Sequence, residues 1–321
     1  MAELGIVLAT DRKFVGLTSI TLKSIRRVGD VPAAEVYVLS SGLTADDKTH
    51  IKGAAQDWEV SFLEVDSVLG KIESFGVDLS RVPAISAARL ACADLLPTHI
   101  TKALYLDSDI LVTGSLSELL DFDMSNCMFA GVAERIEDQV RKRIGLEACD
   151  LYINAGVLLM NLVDMRRDSF TEKSLDFLAE NAEAAVYLDQ DAINSVARGR
   201  ILSLPLKYNV IAPLFFFSYE ECALFRRSNS WYYTKREYDE AVKNPVIVHF
   251  TNGFPYARPW YKNSNHPYAS LYQEYMKSQG VELFGDDNRS RKQRATSLLM
   301  RHVHGKLRGV VPSVLRTLNH P

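Results

Sequence analysis

Residues 102–114 read KALYLDSDILVTG, an apolar run that stops at two carboxylates, Asp107 and Asp109, and resumes immediately after them. Residues 103–106 and 110–112 have the continuous hydrophobicity of a buried strand of a parallel sheet. Period-two alternation places Asp107 and Asp109 on one side of an extended segment. Two like charges there repel unless a cation or a shared proton joins them. Asp-Ser-Asp at a strand end is also ordinary turn chemistry. A buried strand that ends in two charges nevertheless calls for a compensating partner, and a divalent metal is the obvious one.

Upstream of this stretch the chain alternates strand and helix signals. Residues 3–9, 34–39 and 59–64 are apolar and extended, residues 14–28 and 46–55 have helical spacing, and residues 84–96 read as a helix stopped by Pro97. A βαβ series of this kind predicts an α/β fold, a mostly parallel sheet flanked by helices. Ligands of such sheets bind beyond the carboxyl ends of the strands, where Asp11 and Asp107 would both lie. Neither G-x-G-x-x-G nor G-x-x-x-x-G-K-[ST] follows the first strand, so a bound phosphate would need its counter-charge from a metal.

Downstream, LYINAGVLLMNL (151–162) sets Asn154, Ala155 and Gly156 just ahead of an apolar strand, and residues 165–181 read as one helix. YLDQDAINSVARG (187–199) carries a second acidic cluster, Asp189-Gln190-Asp191, at a helix start, where an N-cap is the local explanation. Residues 204–238 are rich in aromatics, which serve as packed core more often than as sugar platforms. In VIVHFTNGFPYARPW (246–260), His249 follows an apolar strand and a Gly/Pro loop leads to Arg258, Pro259 and Trp260. Two carboxylates, one imidazole and two diphosphate oxygens would make an octahedral site suited to Mn²⁺ or Mg²⁺, with imidazole tilting the choice to Mn²⁺.

The 321 residues are 47% hydrophobic and 24% charged, the composition of an ordinary globular protein. Cys92, Cys127, Cys149 and Cys222 are scattered without C-x-x-C spacing, and the first residues lack a secretory pattern, so a cytoplasmic setting is expected. Residues 289–321 hold eight Lys and Arg and no Asp or Glu, which leaves about −11 of the net charge of −3 on residues 1–288. Interleaved apolar residues make residues 286–321 a candidate amphipathic helical tail for an anionic membrane surface, the inner face of the plasma membrane in this setting. Nucleic acid is not an expected partner, because the acidic body would repel it.

These motifs resemble glycosyltransferase family 8, which includes the bacterial lipopolysaccharide α-galactosyl- and α-glucosyltransferases and, more distantly, glycogenin. The resemblance covers residues 5–260 and rests on five motifs in the family's order: LATDRKF, SAARL, YLDSDILV, NAGVLLMNL with YLDQD, and the loop from His249 to Trp260. It implies a GT-A domain over residues 1–285, with a nucleotide-sugar half (1–160) and an acceptor-side half (161–285). It implies retaining transfer of glucose or galactose from a UDP-hexose to a glycan or lipid-linked acceptor. Asp107, Asp109 and His249 would be the metal ligands. Ala9, Asp11 and Lys13 would meet the uracil and ribose. Arg89 would lie near the donor sugar and diphosphate, Arg258 would meet the diphosphate, and Ser108 and Gly253 would belong to the donor-binding set. Asn154, Ala155, Asp189 and Gln190 would surround the transferred sugar, with Glu134 contacting the sugar or acceptor.

Two features depart from the family's pattern. The loop after His249 is three residues longer than His-x-x-Gly-x-x-Lys-Pro-Trp and carries Arg258 in place of lysine. Lys13 stands where relatives often have asparagine, and Glu134 where many have aspartate. For the chemistry, same-face substitution is expected, with Asp189 and Gln190 steadying an oxocarbenium-like transition state, since the Gln190 amide oxygen is a poor nucleophile. The rival readings are a phosphatase of the haloacid dehalogenase type, which wants Thr or Val where Leu111 stands, and a non-catalytic sugar-nucleotide-binding module.

Overall fold

The computed structural model describes residues 3–31, 34–77, 84–225, 232–251, 256–285, 289–290 and 293–294. Seven strands form one sheet: β1 (Glu3–Asp11), β2 (Glu35–Ser41), β3 (Val60–Glu64), β4 (Ile100–Leu106), β6 (Phe129–Ala133), β7 (Ile153–Asn161) and β8 (Ile201–Leu204). Their order is β3-β2-β1-β4-β7-β6-β8, and β7 alone runs against the rest. This is the expected mostly parallel α/β sheet. The remaining strands β5 (Ile110–Val112), β9 (Val210–Ile211) and β10 (Ile247–His249) form a second sheet in the order β5-β10-β9.

The apolar runs of the central strands are explained by burial on both faces. Successive residues feed opposite cores. Ile6, Leu8, Leu104 and Leu106 enter one core with Val157 and Leu159, while Val7, Ala9, Ala103 and Tyr105 enter the other with Leu158 and Met160. The helix Val15–Val28 buries Leu17, Ile20, Thr21, Ser24 and Ile25, a stripe at i, i+3, i+4, i+7 and i+8. A third core beneath the small sheet joins Leu17 and Ile20 to Leu111, Val248, Phe250 and Trp260.

Three local expectations are corrected. Asp107 and Asp109 do not share one extended strand: β4 ends at Leu106, and the chain turns through residues 107–109 into β5 of the other sheet. Residues 84–96 are a 3-10 helix, Ala84–Ala91, followed by one α-turn, Cys92–Leu95. Residues 165–181 are two helices, Leu162–Arg167 and Phe170–Glu180, because Ser169 takes the left-handed conformation (φ 51°) and ends the first. The basic tail, apart from residues 289–290 and 293–294, lies outside the described residues.

The candidate functional site

The corner between the two sheets is built from backbone bonds. The Asp107 N–H donates to the Gly156 carbonyl (2.9 Å), and the Phe250 N–H donates to the Asp109 carbonyl (2.9 Å). From the helix below, the Thr21 hydroxyl lies 3.0 Å from the Ser108 carbonyl and 2.9 Å from that of Ile110. The antiparallel register His249↔Ile110 then sets the imidazole beside the acidic turn. The acidic turn and the three candidate metal ligands, alternatives in the sequence, therefore coincide.

His249 Nε2 stands 3.2 Å from Asp109 Oδ1 and 3.7 Å from Asp107 Oδ2. One ligand atom from each of the three residues lies within 4.8 Å of the others. Gly156 keeps this space open: a Cβ there would lie 2.2 Å from His249 Cε1 and 2.9 Å from Asp107 Oδ2. Two carboxylate oxygens and one imidazole nitrogen around a gap of this size fit a hard divalent cation such as Mn²⁺ or Mg²⁺. Burial works against an imidazolium at His249, but Asp109, Asp107 and Glu134 outweigh it and hold its pKa above the ordinary value. Burial likewise opposes the Asp109 carboxylate, yet His249 and Arg258 keep its pKa below the usual value.

Arg89, 4% exposed, ties this cluster to the second acidic one. Its Nη2 is 2.9 Å from Asp107 Oδ1, its Nε is 2.9 Å from Asp189 Oδ2, and its Nη1 donates to the Ala155 carbonyl. It also lies over the Tyr105 ring (4.6 Å), whose hydroxyl donates to Asp107 Oδ1 at 2.9 Å. Asp107 is thereby divided: one oxygen is fixed by Arg89 and Tyr105, and the other faces His249. Burial raises the Asp189 pKa, an effect partly offset by Arg89.

Asp189 is not a helix cap. The cap position of the helix Asp189–Val196 is Leu188, at φ 41°, and makes no side-chain cap bond. Gln190 is held at both ends of its amide. Its Oε1 accepts the Ala155 N–H (3.0 Å), and its Nε2 donates to Tyr152 Oη (3.1 Å) and Glu134 Oε2 (3.3 Å). Asn154 Nδ2 also donates to Glu134 Oε2, at 2.8 Å.

At the end of β1, Ala9 is buried, and Asp11 accepts the Lys13 N–H at 2.8 Å, closing a turn that leaves the Lys13 side chain exposed. Arg258 extends over Trp260 (5.2 Å) with its Nη2 3.7 Å from Asp109 Oδ2, so its guanidinium stands beside the acidic cluster. Gly253 lies outside the described residues.

The sequence profile of "Glycosyl transferase family 8" matches residues 5–264. This chain belongs to glycosyl transferase family 8. General stress protein A of Bacillus subtilis is 27% identical over 247 residues, 75% of this chain and 82% of that protein. Lipopolysaccharide 1,2-glucosyltransferase of Escherichia coli K12 is 26% identical over 190 residues, 58% of this chain and 52% of that protein. The chain thus spans about half the length of that glucosyltransferase. Among solved structures, the galactosyltransferase LgtC in complex with donor and acceptor sugar analogues superimposes with a TM-score of 0.72 at 20% identity, covering 91% of this chain and 99% of that one. That likeness establishes a GT-A fold. As a family 8 member the protein is a retaining glycosyltransferase.

Several groups that build the site of this family 8 enzyme carried no signal in the sequence. Tyr105 looked like one more apolar strand residue. Tyr152, fully buried, donates to Asp191 Oδ1 (2.6 Å) while accepting from Gln190. Asn209, in PLKYNV, is 1% exposed and joins His249 to Asn154. The aromatic region is largely core, as in the stacked pair Phe216–Tyr256 (5.1 Å). A cleft with an apolar wall, including Val132, Ile211 and Leu214, also has Glu134, Arg135, Asn154 and Asn209 in its lining.

Proposed function

We propose that the protein transfers glucose or galactose from a UDP-hexose to a glycan or lipid-linked acceptor. The observation that carries this reading is the Asp107–Asp109–His249 cluster, set beyond the carboxyl ends of β1 and β4 in a family 8 chain. These three residues would hold Mn²⁺ or Mg²⁺, which when bound supplies positive charge to the departing diphosphate. Uracil and ribose would lie along Ala9, Asp11 and Lys13. Arg258, with Arg89, Ser108 and Gly253 along the same path, would neutralise charge as the bond from the anomeric carbon to the UDP oxygen breaks.

The sugar would rest among Asn154, Ala155, Asp189, Gln190 and Glu134. Retention then follows by attack from the face that UDP leaves: the acceptor oxygen bonds to the anomeric carbon, and its proton passes to the departing β-phosphate. Two contacts support this choice over a protein nucleophile. The Gln190 amide oxygen already accepts the Ala155 N–H, and Asp189 is paired with Arg89. Both groups would steady positive charge at the anomeric carbon. The acceptor would enter the cleft edged by Glu134 and Asn154, so that residues 1–160 serve the donor and residues 161–285 the acceptor within one domain of residues 1–285.

Among the described residues no helix is long and apolar enough to cross a membrane. We assign the protein to the cytoplasm, with residues 289–321 as its electrostatic contact to the inner face of the plasma membrane. The relatives named for lipopolysaccharide transfer make a cell-envelope glycan the favoured product. The test is turnover with Mn²⁺ and a panel of nucleotide sugars. Release of UDP that rises with added glycan and vanishes in Asp109→Ala supports transfer. Phosphate released from simple monoesters would support the phosphatase reading instead.

A further inference from the structure

Asn209 lies between the 3-10 helix Leu206–Tyr208 and β9, one residue ahead of the parallel pairing that sets Val210 beside Val248 and Ile211 beside His249. It is almost fully buried and carries no charge. Its side chain makes two contacts: Nδ2 to Asn154 Oδ1 at 2.8 Å, and Oδ1 to His249 Nδ1 at 3.0 Å.

The direction of these bonds follows from one backbone group. The Gly156 N–H can only donate, and it lies 2.9 Å from Asn154 Oδ1, so the end of the Asn154 amide facing Gly156 is its oxygen. The other end is then the NH₂ group, which meets the Glu134 carboxylate at 2.8 Å, an acceptor. The same Asn154 oxygen faces Asn209, so Asn209 must present its own NH₂ group there. That leaves the Asn209 oxygen toward His249. An amide oxygen can only accept, so Nδ1 of His249 carries the proton, and in the neutral ring the lone pair belongs to Nε2. Nε2 is the nitrogen that faces Asp109 Oδ1 and Asp107 Oδ2.

We infer that Asn209 is a positioning residue: through the chain Gly156, Asn154, Asn209 it fixes the tautomer and ring orientation of His249, so that Nε2 is the metal-binding nitrogen. The inference rests on the metal reading of the Asp107–Asp109–His249 cluster. It also gives the sugar-site residues Asn154 and Glu134 a direct hydrogen-bonded link to the metal site. Partners of this kind commonly account for about 10- to 100-fold in metal affinity.

The test compares Mn²⁺ binding, followed by electron paramagnetic resonance, in the full chain and in two substitutions of similar size. Both variants lose the Asn209 donor to Asn154 Oδ1; Asn209→Asp keeps an acceptor for the His249 Nδ1 proton, and Asn209→Leu removes that as well. Mn²⁺ affinity is expected to fall about 10- to 100-fold in Asn209→Leu and to stay within a few-fold of wild type in Asn209→Asp. Wild-type affinity in Asn209→Leu, or equal losses in both variants, overturns the inference. Nitrogen-15 histidine spectra of the wild-type protein with diamagnetic Mg²⁺ and UDP test it without any substitution at Asn209. A proton on Nδ1 of His249 supports it, and a proton on Nε2 overturns it. His249→Ala separates the two failures: unchanged Mn²⁺ affinity there overturns the metal reading itself, and the role of Asn209 with it.

Discussion

His249 Nε2 stands 3.2 Å from Asp109 Oδ1, although the two residues belong to different motifs and meet only because β10 pairs with β5. The Gly156 backbone forms the wall behind them. Gly156→Ala is expected to abolish Mn²⁺ binding, since its Cβ would overlap the imidazole, and to destabilise the fold by about 1–3 kcal/mol through overpacking. Calorimetric Mn²⁺ titration alongside urea unfolding checks both parts.

Arg89 neutralises Asp107 and Asp189 where neither is well solvated. Arg89→Met leaves two carboxylates facing a buried apolar chain and is expected to cost about 3–5 kcal/mol. Adding Asp189→Asn removes one of those charges. The double variant is expected to regain part of the stability in urea denaturation, with turnover remaining low.

Gln190 is held by three hydrogen bonds that orient its amide. Gln190→Ala is expected to lower kcat by about 10²-fold, the scale of a misplaced substrate, while retaining measurable transfer with the same anomeric outcome. Steady-state kinetics with product analysis by NMR decides the point. Near-normal turnover would make a nucleophilic role for Gln190 untenable.

His266 packs against the rings of Phe215, Phe250 and Tyr256, and its Nδ1 accepts the Tyr268 N–H at 3.1 Å. Burial alone pushes its pKa down to about 3 from an ordinary 6.5. The folded state disfavours the charged ring, so the stability linked to His266 is fully present above pH 6.5 and is lost as pH falls toward 3. Between pH 7 and 4.5 the loss is about 3 kcal/mol. Urea unfolding at the two pH values is expected to show it in wild type, and His266→Phe is expected to remove that part of the acid sensitivity.

The sheet was readable in the sequence because its central strands are buried on both sides, which leaves a run such as IVLA or ALYL no alternative. Asp107, Asp109 and His249 stood out because each interrupts or ends such a run. The corner at residues 107–109 was hidden, since the three residues of β5 look like more of β4 until a second sheet claims them. Ser169 takes positive φ without being glycine, so the break inside residues 165–181 was not marked. Asn209 was missed for a related reason: an asparagine beside a short strand looks like a turn residue, and only the tertiary pairing of β9 with β10 brings it to His249.

Asp107, Asp109 and His249 are proposed to form a metal clamp on a sugar-nucleotide diphosphate. Isothermal titration of UDP into the wild-type protein and Asp109→Ala, each with and without Mn²⁺, tests it most directly. UDP affinity is expected to depend strongly on Mn²⁺ in wild type and not at all in Asp109→Ala. Equal UDP affinity with and without the metal in wild type would contradict it.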